Sequence, residues 1–122
     1  MVSEARVCRG AEAARLHKHG IVLQLFDYDF VAAGVTVVTL SVKRGHCQEF
    51  KNRVSTYFYQ ISDGTGVFYL DRVAKTVEAG DLVVAPPGTA IYYEGQMECT
   101  LVIAPPFKET DEVHIRFVSE LA

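Results

Sequence analysis

Residues 80–95 constrain this chain most. They read as Gly80-Asp81, the apolar run Leu82-Val83-Val84-Ala85, then Pro86-Pro87-Gly88-Thr89, a second apolar run Ala90-Ile91-Tyr92-Tyr93, and Glu94-Gly95. Gly80 can take the positive φ of a tight turn, and Pro87-Gly88 fits the two central positions of a type II turn. Neither apolar run is long enough for a helix, so the stretch is expected to form one β-hairpin.

With 122 residues, 49% of them hydrophobic, the chain can close one core and bury roughly two-thirds of its unfolded surface. A single domain over residues 1–122 is expected. The formal net charge of -3 and the scattered Lys and Arg give no electrostatic footprint for nucleic acid or an acidic membrane. No apolar run approaches the ~20 residues that span a bilayer, and the N-terminus lacks the basic-then-apolar layout of a secretory signal, so a cytoplasmic protein is expected. Cys8, Cys47 and Cys99 have no paired spacing, which points to free thiols rather than a disulfide framework or structural zinc.

The stretch Ala11-Glu12-Ala13-Ala14-Arg15-Leu16, followed by Gly20, is the one place rich in helix formers, so at most one short helix is expected there. Beyond it Val, Ile, Phe, Tyr and Thr alternate with turn residues at short intervals, the pattern of an all-β protein. Strands are expected at residues 21–26, 35–43, 55–62, 66–70, 75–77, 82–85, 90–93, 99–104 and 113–118, with irregular chain at 45–54 and 105–112. Asp63-Gly64 between two aromatic-rich runs is a type I′ hairpin signal. Under its register Tyr57, Tyr59, Ile61, Phe68 and Leu70 share one face, and Phe58, Gln60, Val67 and Tyr69 the other.

Gly80, five residues, Pro86, one residue and Gly88 resemble the second signature of the cupin superfamily, small β-barrels that often hold a metal. That signature continues to a metal-binding His and an Asn, at whose places this chain has Ile91 and Gly95. In the first signature, framed by Gly45 and Gly64, the two His positions fall on Lys51 and Arg53, or on Phe50 and Asn52 under the longer spacing, and the Glu position falls on Tyr57. The resemblance implies a single cupin-type jelly-roll β-barrel, its core over residues 35–107, with no metal and no cofactor at the usual place. It also implies an inward constellation of Arg53, Tyr57, Tyr59 and Tyr93, with Ile91 and Phe68 as apolar walls and Lys51 near the mouth. A homodimer is expected, the outer face of Phe58 and Tyr69 being one surface for it.

Other candidates read as ordinary surface. His17 and His19 imitate a His-x-His pair without a third ligand and are taken as exposed loop residues. His46 falls in an expected turn where such groups are solvated, and His114 alternates outward with Arg116. An interior Arg53 must reach water, a carboxylate or an anionic ligand. The expected function is therefore binding of a small anionic or polyhydroxylated molecule in a metal-free barrel. The alternatives are a metal-independent isomerase, epimerase or cyclase using Tyr57, Tyr59 or His46, or a structural or regulatory barrel filled by its own side chains.

Overall fold

Two long strands carry the architecture. In the computed structural model, which describes residues 5, 7–26 and 34–118, β5 (Thr56–Leu70) and β8 (Ile91–Ala104) pair antiparallel from Thr56 opposite Ala104 to Leu70 opposite Ile91. The free edge of β5 takes β7 (Leu82–Ala85) along its first half and β6 (Val73–Glu78) along its second. The free edge of β8 takes β3 (Thr36–Val42) and β4 (Gly45–Asn52). Beyond these, β2 (Ile21–Leu25) pairs with β3, β1 (Ala14–Lys18) with β2, and β9 (Glu112–Phe117) with β4. The described residues are all-β apart from the single 3-10 turns Gly10–Glu12 and Glu109–Asp111, and none of their helices is long and apolar enough to cross a membrane. The curled sheet encloses a cluster that includes Leu40, Phe50, Tyr57, Tyr59, Ile61, Phe68, Ile91, Tyr93, Leu101 and Ile103.

Several sequence expectations change in instructive ways. The Pro86–Thr89 turn forms, with Thr89 N–H donating to the Pro86 carbonyl at 3.2 Å, but its two flanking strands do not pair with each other. β7 lies on one edge of β5 and β8 on the other, so the turn is a corner between two edges and not a hairpin. Asp63-Gly64 does not reverse the chain either. β5 runs straight through it, with a register shift against β8 between Ile61 and Asp63, a bulge that moves the inward set from Tyr57, Tyr59 and Ile61 to Phe68. The face expected from a hairpin survives because a one-residue bulge changes side-chain parity as that hairpin would. Gly64 has φ +86°, and a Cβ on it would overlap the Gln96 carbonyl oxygen; the same backbone freedom that marks a turn here serves a close strand approach.

The Ala-rich stretch gives one 3-10 turn and then β1, because His19 and Gly20, at φ 51° and 91°, close a two-residue hairpin that places Lys18 opposite Ile21. Residues 45–54, expected to be irregular, contain β4, and its Glu49 and Asn52 are buried with partners. Glu49 is fully buried and accepts from Arg116 Nε at 2.8 Å and Arg72 Nη2 at 3.1 Å. Asn52 Oδ1 accepts from the backbone N–H groups of Val54 and Ser55. On the outer face Phe58 is half-buried, opposite Val84 and Val102, while Tyr69 stacks on Tyr92 at 4.4 Å and donates to Glu94 Oε1 at 2.8 Å.

Two stability predictions follow from this frame. Glu49→Ala removes a buried acceptor of two charged donors and is expected to cost about 1.5–3 kcal/mol in urea unfolding. Gly64→Ala places a side chain against backbone at positive φ and is expected to cost more than about 1 kcal/mol by the same measurement.

Candidate functional site

Inside the sheet lies a cavity of ≈ 270 Å³. Its aliphatic end comes from Leu16 on β1, Leu23 and Leu25 on β2, Thr36 and Val38 on β3, and Leu101 and Ile103 on β8, with Phe107. Its polar end is made by Lys18, His46, Tyr57, Tyr59, Tyr93 and Glu112. A larger groove, ≈ 770 Å³, runs past β5, β6 and β8 between Arg44, Thr65, Thr76, Glu78, Asp81 and Glu94, but it is more open and brings together no imidazole, phenol or thiol.

His46 is 5% exposed, and β4 carries it inward between Phe50 and Tyr93, with ring centroids 5.1 and 5.2 Å away. Its Nδ1 lies 2.7 Å from the Gln48 carbonyl oxygen. A carbonyl can only accept, so Nδ1 carries the proton and Nε2 keeps the lone pair. Burial pushes the His46 pKa down to about 4; the Gln48 hydrogen bond opposes this, and nearby His19 and Lys18 add to it. The ring is therefore a neutral base at pH 7, held in one tautomer by backbone.

The three phenols are kept protonated. Burial, more than any neighbour, drives the Tyr59 and Tyr93 pKa values well above the ordinary tyrosine range. Tyr57 is raised by burial and then by Glu112, to whose Oε2 its hydroxyl donates at 2.6 Å. Glu112 Oε1 in turn faces Lys18 Nζ at 3.8 Å. Phe68 packs behind the tyrosines, 4.9 Å from Tyr59 and 4.7 Å from Tyr93. A second hollow adjoins the mouth, sharing Lys18, Phe107 and Glu112 and adding His19, Gln48, Glu109 and His114.

Of the residues assigned to the interior from the sequence, Tyr57, Tyr59 and Tyr93 converge on the cavity. Phe68 and Ile91 are fully buried beside it as core. Arg53 does not point inward: it is exposed, and its Nη2 donates to the Thr110 carbonyl at 2.9 Å, because the strand ends at Asn52 and Arg53 lies in the bend beyond. Lys51 is half-buried opposite Val113 of β9 and does not wall the cavity. His46, expected in solvent, is buried. His19 is half-buried against His46, ring centroids 5.5 Å apart, while His17 and His114 are exposed. Lys18, Glu112 and the leucines Leu16, Leu23 and Leu25 were missed because β1, β2 and β9 lie outside the expected core of residues 35–107.

The donor set does not fit the metal site of the fold family. Among the described residues no three His, Cys, Asp or Glu side chains cluster as ligands. The cavity offers one imidazole, already donating from Nδ1, and one carboxylate engaged by Tyr57, short of the three protein ligands of ordinary catalytic sites.

Fold and site together define a cupin barrel whose cavity is lined by one imidazole and three phenols among the described residues. No protein-family model and no curated protein sequence matches the chain. Among solved structures it is similar to Pac13, a nucleoside dehydratase, with 44% identity over 96% of each chain and a TM-score of 0.90. The chain belongs to the same family as Pac13, within the cupins. Three variants of Streptomyces Pac13, a histidine-to-glutamine and two tyrosine-to-phenylalanine replacements, are known with uridine. The replaced positions stand at the same separations along that chain as His46, Tyr59 and Tyr93 do in this one. KdgF from Halomonas sp., 13% identical over 88% of this chain and 98% of its own with a TM-score of 0.71, shares the fold. An RmlC-like cupin from Shewanella frigidimarina, 14% identical over 88% and 96% with a TM-score of 0.70, does so too.

The displaced His46 pKa predicts a pH dependence. Between about 4 and the ordinary value of 6.5 the unfolded chain binds a proton that the folded one does not, so stability rises with pH across that window. The contribution is complete above 6.5 and is lost as pH falls toward 4, a change on the order of 3 kcal/mol. Urea unfolding at pH 7 and pH 4.5 is expected to show a larger acid loss for wild type than for His46→Gln.

Proposed function

We propose that this protein is a nucleoside dehydratase whose base is His46. The observation that carries the reading is a neutral imidazole, fixed with its proton on Nδ1, set among protonated phenols in the barrel cavity. The cavity volume lies near the lower end of the roughly 300–1,000 Å³ typical of ligand pockets, which suits one molecule of nucleoside size. The matched spacing of His46, Tyr59 and Tyr93 with the positions replaced in Pac13 supports the same assignment.

Dehydration removes a proton from one carbon and a hydroxyl from its neighbour. Nε2 of His46 takes the proton from the carbon whose anion the substrate stabilises, and the C–H electron pair becomes the new C=C bond. The neighbouring C–O bond breaks, and the departing oxygen accepts the proton from the His46 imidazolium and leaves as water. Tyr59 and Tyr93, held protonated, donate hydrogen bonds to oxygen as negative charge develops there, which is where fixed donors in a dry site act most strongly. His46 returns to its starting state, so no external acid, base or redox partner is consumed. The aliphatic end receives the flat base, and Tyr57 with Glu112 and Lys18 faces the hydroxylated end.

The experiment is uridine titration by calorimetry together with mass-spectrometric detection of water loss across a panel of nucleosides and oxidised nucleosides. Uridine is expected to bind wild type. His46→Gln is expected to keep binding within several-fold while turnover falls roughly 10²- to 10⁴-fold, and Tyr59→Phe and Tyr93→Phe to lower turnover with smaller changes in binding. Absence of nucleoside binding, or full turnover by His46→Gln, would overturn the assignment.

A further inference from the structure

The charges of the cavity bear on which nucleosides it can take, an inference that rests on the nucleoside reading above. Among the described residues its wall holds one carboxylate, Glu112, and one ammonium, Lys18. The carboxylate is the deeper of the two, its side chain 17% exposed against 37% for Lys18, and they lie 3.8 Å apart. The cation is thus already neutralised, and the anion is the charge more removed from solvent screening. The hydroxyl of Tyr57 is spent on Glu112 at 2.6 Å. His46 presents a lone pair rather than a proton, since its Nδ1–H is committed to the Gln48 carbonyl. Arg53, a planar guanidinium that could have gripped a phosphate, lies outside the barrel on the Thr110 carbonyl. The described chain has only single-turn 3-10 segments, so no helix N-terminus is offered to a phosphate among these residues.

We infer that the site selects uncharged nucleosides and rejects their phosphate esters, with Glu112 as the residue that enforces the choice. A phosphate entering the polar end meets a fixed carboxylate at close range, an imidazole lone pair and, among the described residues, no free cation, and a buried unpaired charge is strongly disfavoured. A neutral ribose meets acceptors and donors matched to hydroxyl groups: the Glu112 carboxylate and His46 Nε2 accept, Tyr59 and Tyr93 donate. The substrate must then come from a reaction that delivers the nucleoside without phosphate, such as hydrolysis of a phosphomonoester.

The test is calorimetric titration of the full chain with uridine and with uridine 5′-monophosphate at neutral pH. Wild type is expected to bind the nucleotide at least about 30-fold more weakly than the nucleoside, the size of a like-charge contact in a desolvated site. Glu112→Gln, which keeps an acceptor for Tyr57 and frees Lys18, is expected to narrow that ratio roughly tenfold or more. Lys18→Gln is expected to widen it. Opposite movements of one ratio separate a charge effect from a loss of folding, which would weaken both ligands together. Equal binding of the two ligands by wild type would overturn the inference while leaving the nucleoside reading intact, as would a shift in the same direction by both variants. If uridine does not bind wild type at all, the nucleoside reading falls and this inference with it.

Discussion

The pairing of β5 with β8 is the constraint from which the site follows. It fixes Phe68 opposite Tyr93 and Tyr59 opposite Leu101, and so sets two phenols from distant parts of the chain with ring centroids 5.5 Å apart. The bulge after Ile61 is what makes this possible. Without the change of parity there, either the tyrosines of the first half of β5 or Phe68 of the second would face solvent. Local backbone freedom at Gly64 is thus converted, through register, into the composition of a cavity wall.

Desolvation then sets the protonation states of the cavity groups. It lowers His46, raises Tyr59 and Tyr93, and raises the neighbouring Cys99 thiol to about 12. The imidazole and the phenols are separated in pKa by a wider margin than they would have in water. The geometry is held by backbone rather than by long side chains: the Gln48 carbonyl orients His46, and β4 itself is pinned on its outer side where Arg72 and Arg116 meet Glu49. Such groups need little reorganisation when charge develops, which is the physical content of preorganisation.

Much of the fold was legible in the sequence. Alternation, turn spacing and the Gly80-to-Gly88 frame gave an all-β cupin barrel and the inward set Tyr57, Tyr59, Phe68 and Tyr93. What failed did so for definable reasons. A glycine with positive φ serves a turn or a bulge equally well, and only pairing partners distinguish them, so Asp63-Gly64 was misread. β4 looked like a loop because Gln48, Glu49 and Asn52 are polar, and the partners of Gln48 and Glu49, namely His114, Arg116 and Arg72, are remote in sequence. Arg53 was sent inward by a motif position that the bend after Asn52 turns outward. His46 looked solvated because its strand did, and Lys18 and Glu112 come from the two ends of the chain, brought within 3.8 Å by pairing that no local pattern announces.

Part of the cavity's apolar lining comes from strands that carry neither its imidazole nor its phenols. His46, Tyr57, Tyr59 and Tyr93 lie on β4, β5 and β8, the interior of the sheet, whereas Leu16, Leu23 and Leu25 lie on β1 and β2, a hairpin attached along one side of β3. Exchanges among those leucines would alter the shape of the cavity without displacing His46 or the three tyrosines. The barrel is in that sense modular: a lineage, or an engineer, could reshape the cavity by editing a single peripheral hairpin while its imidazole and phenols stay where they are.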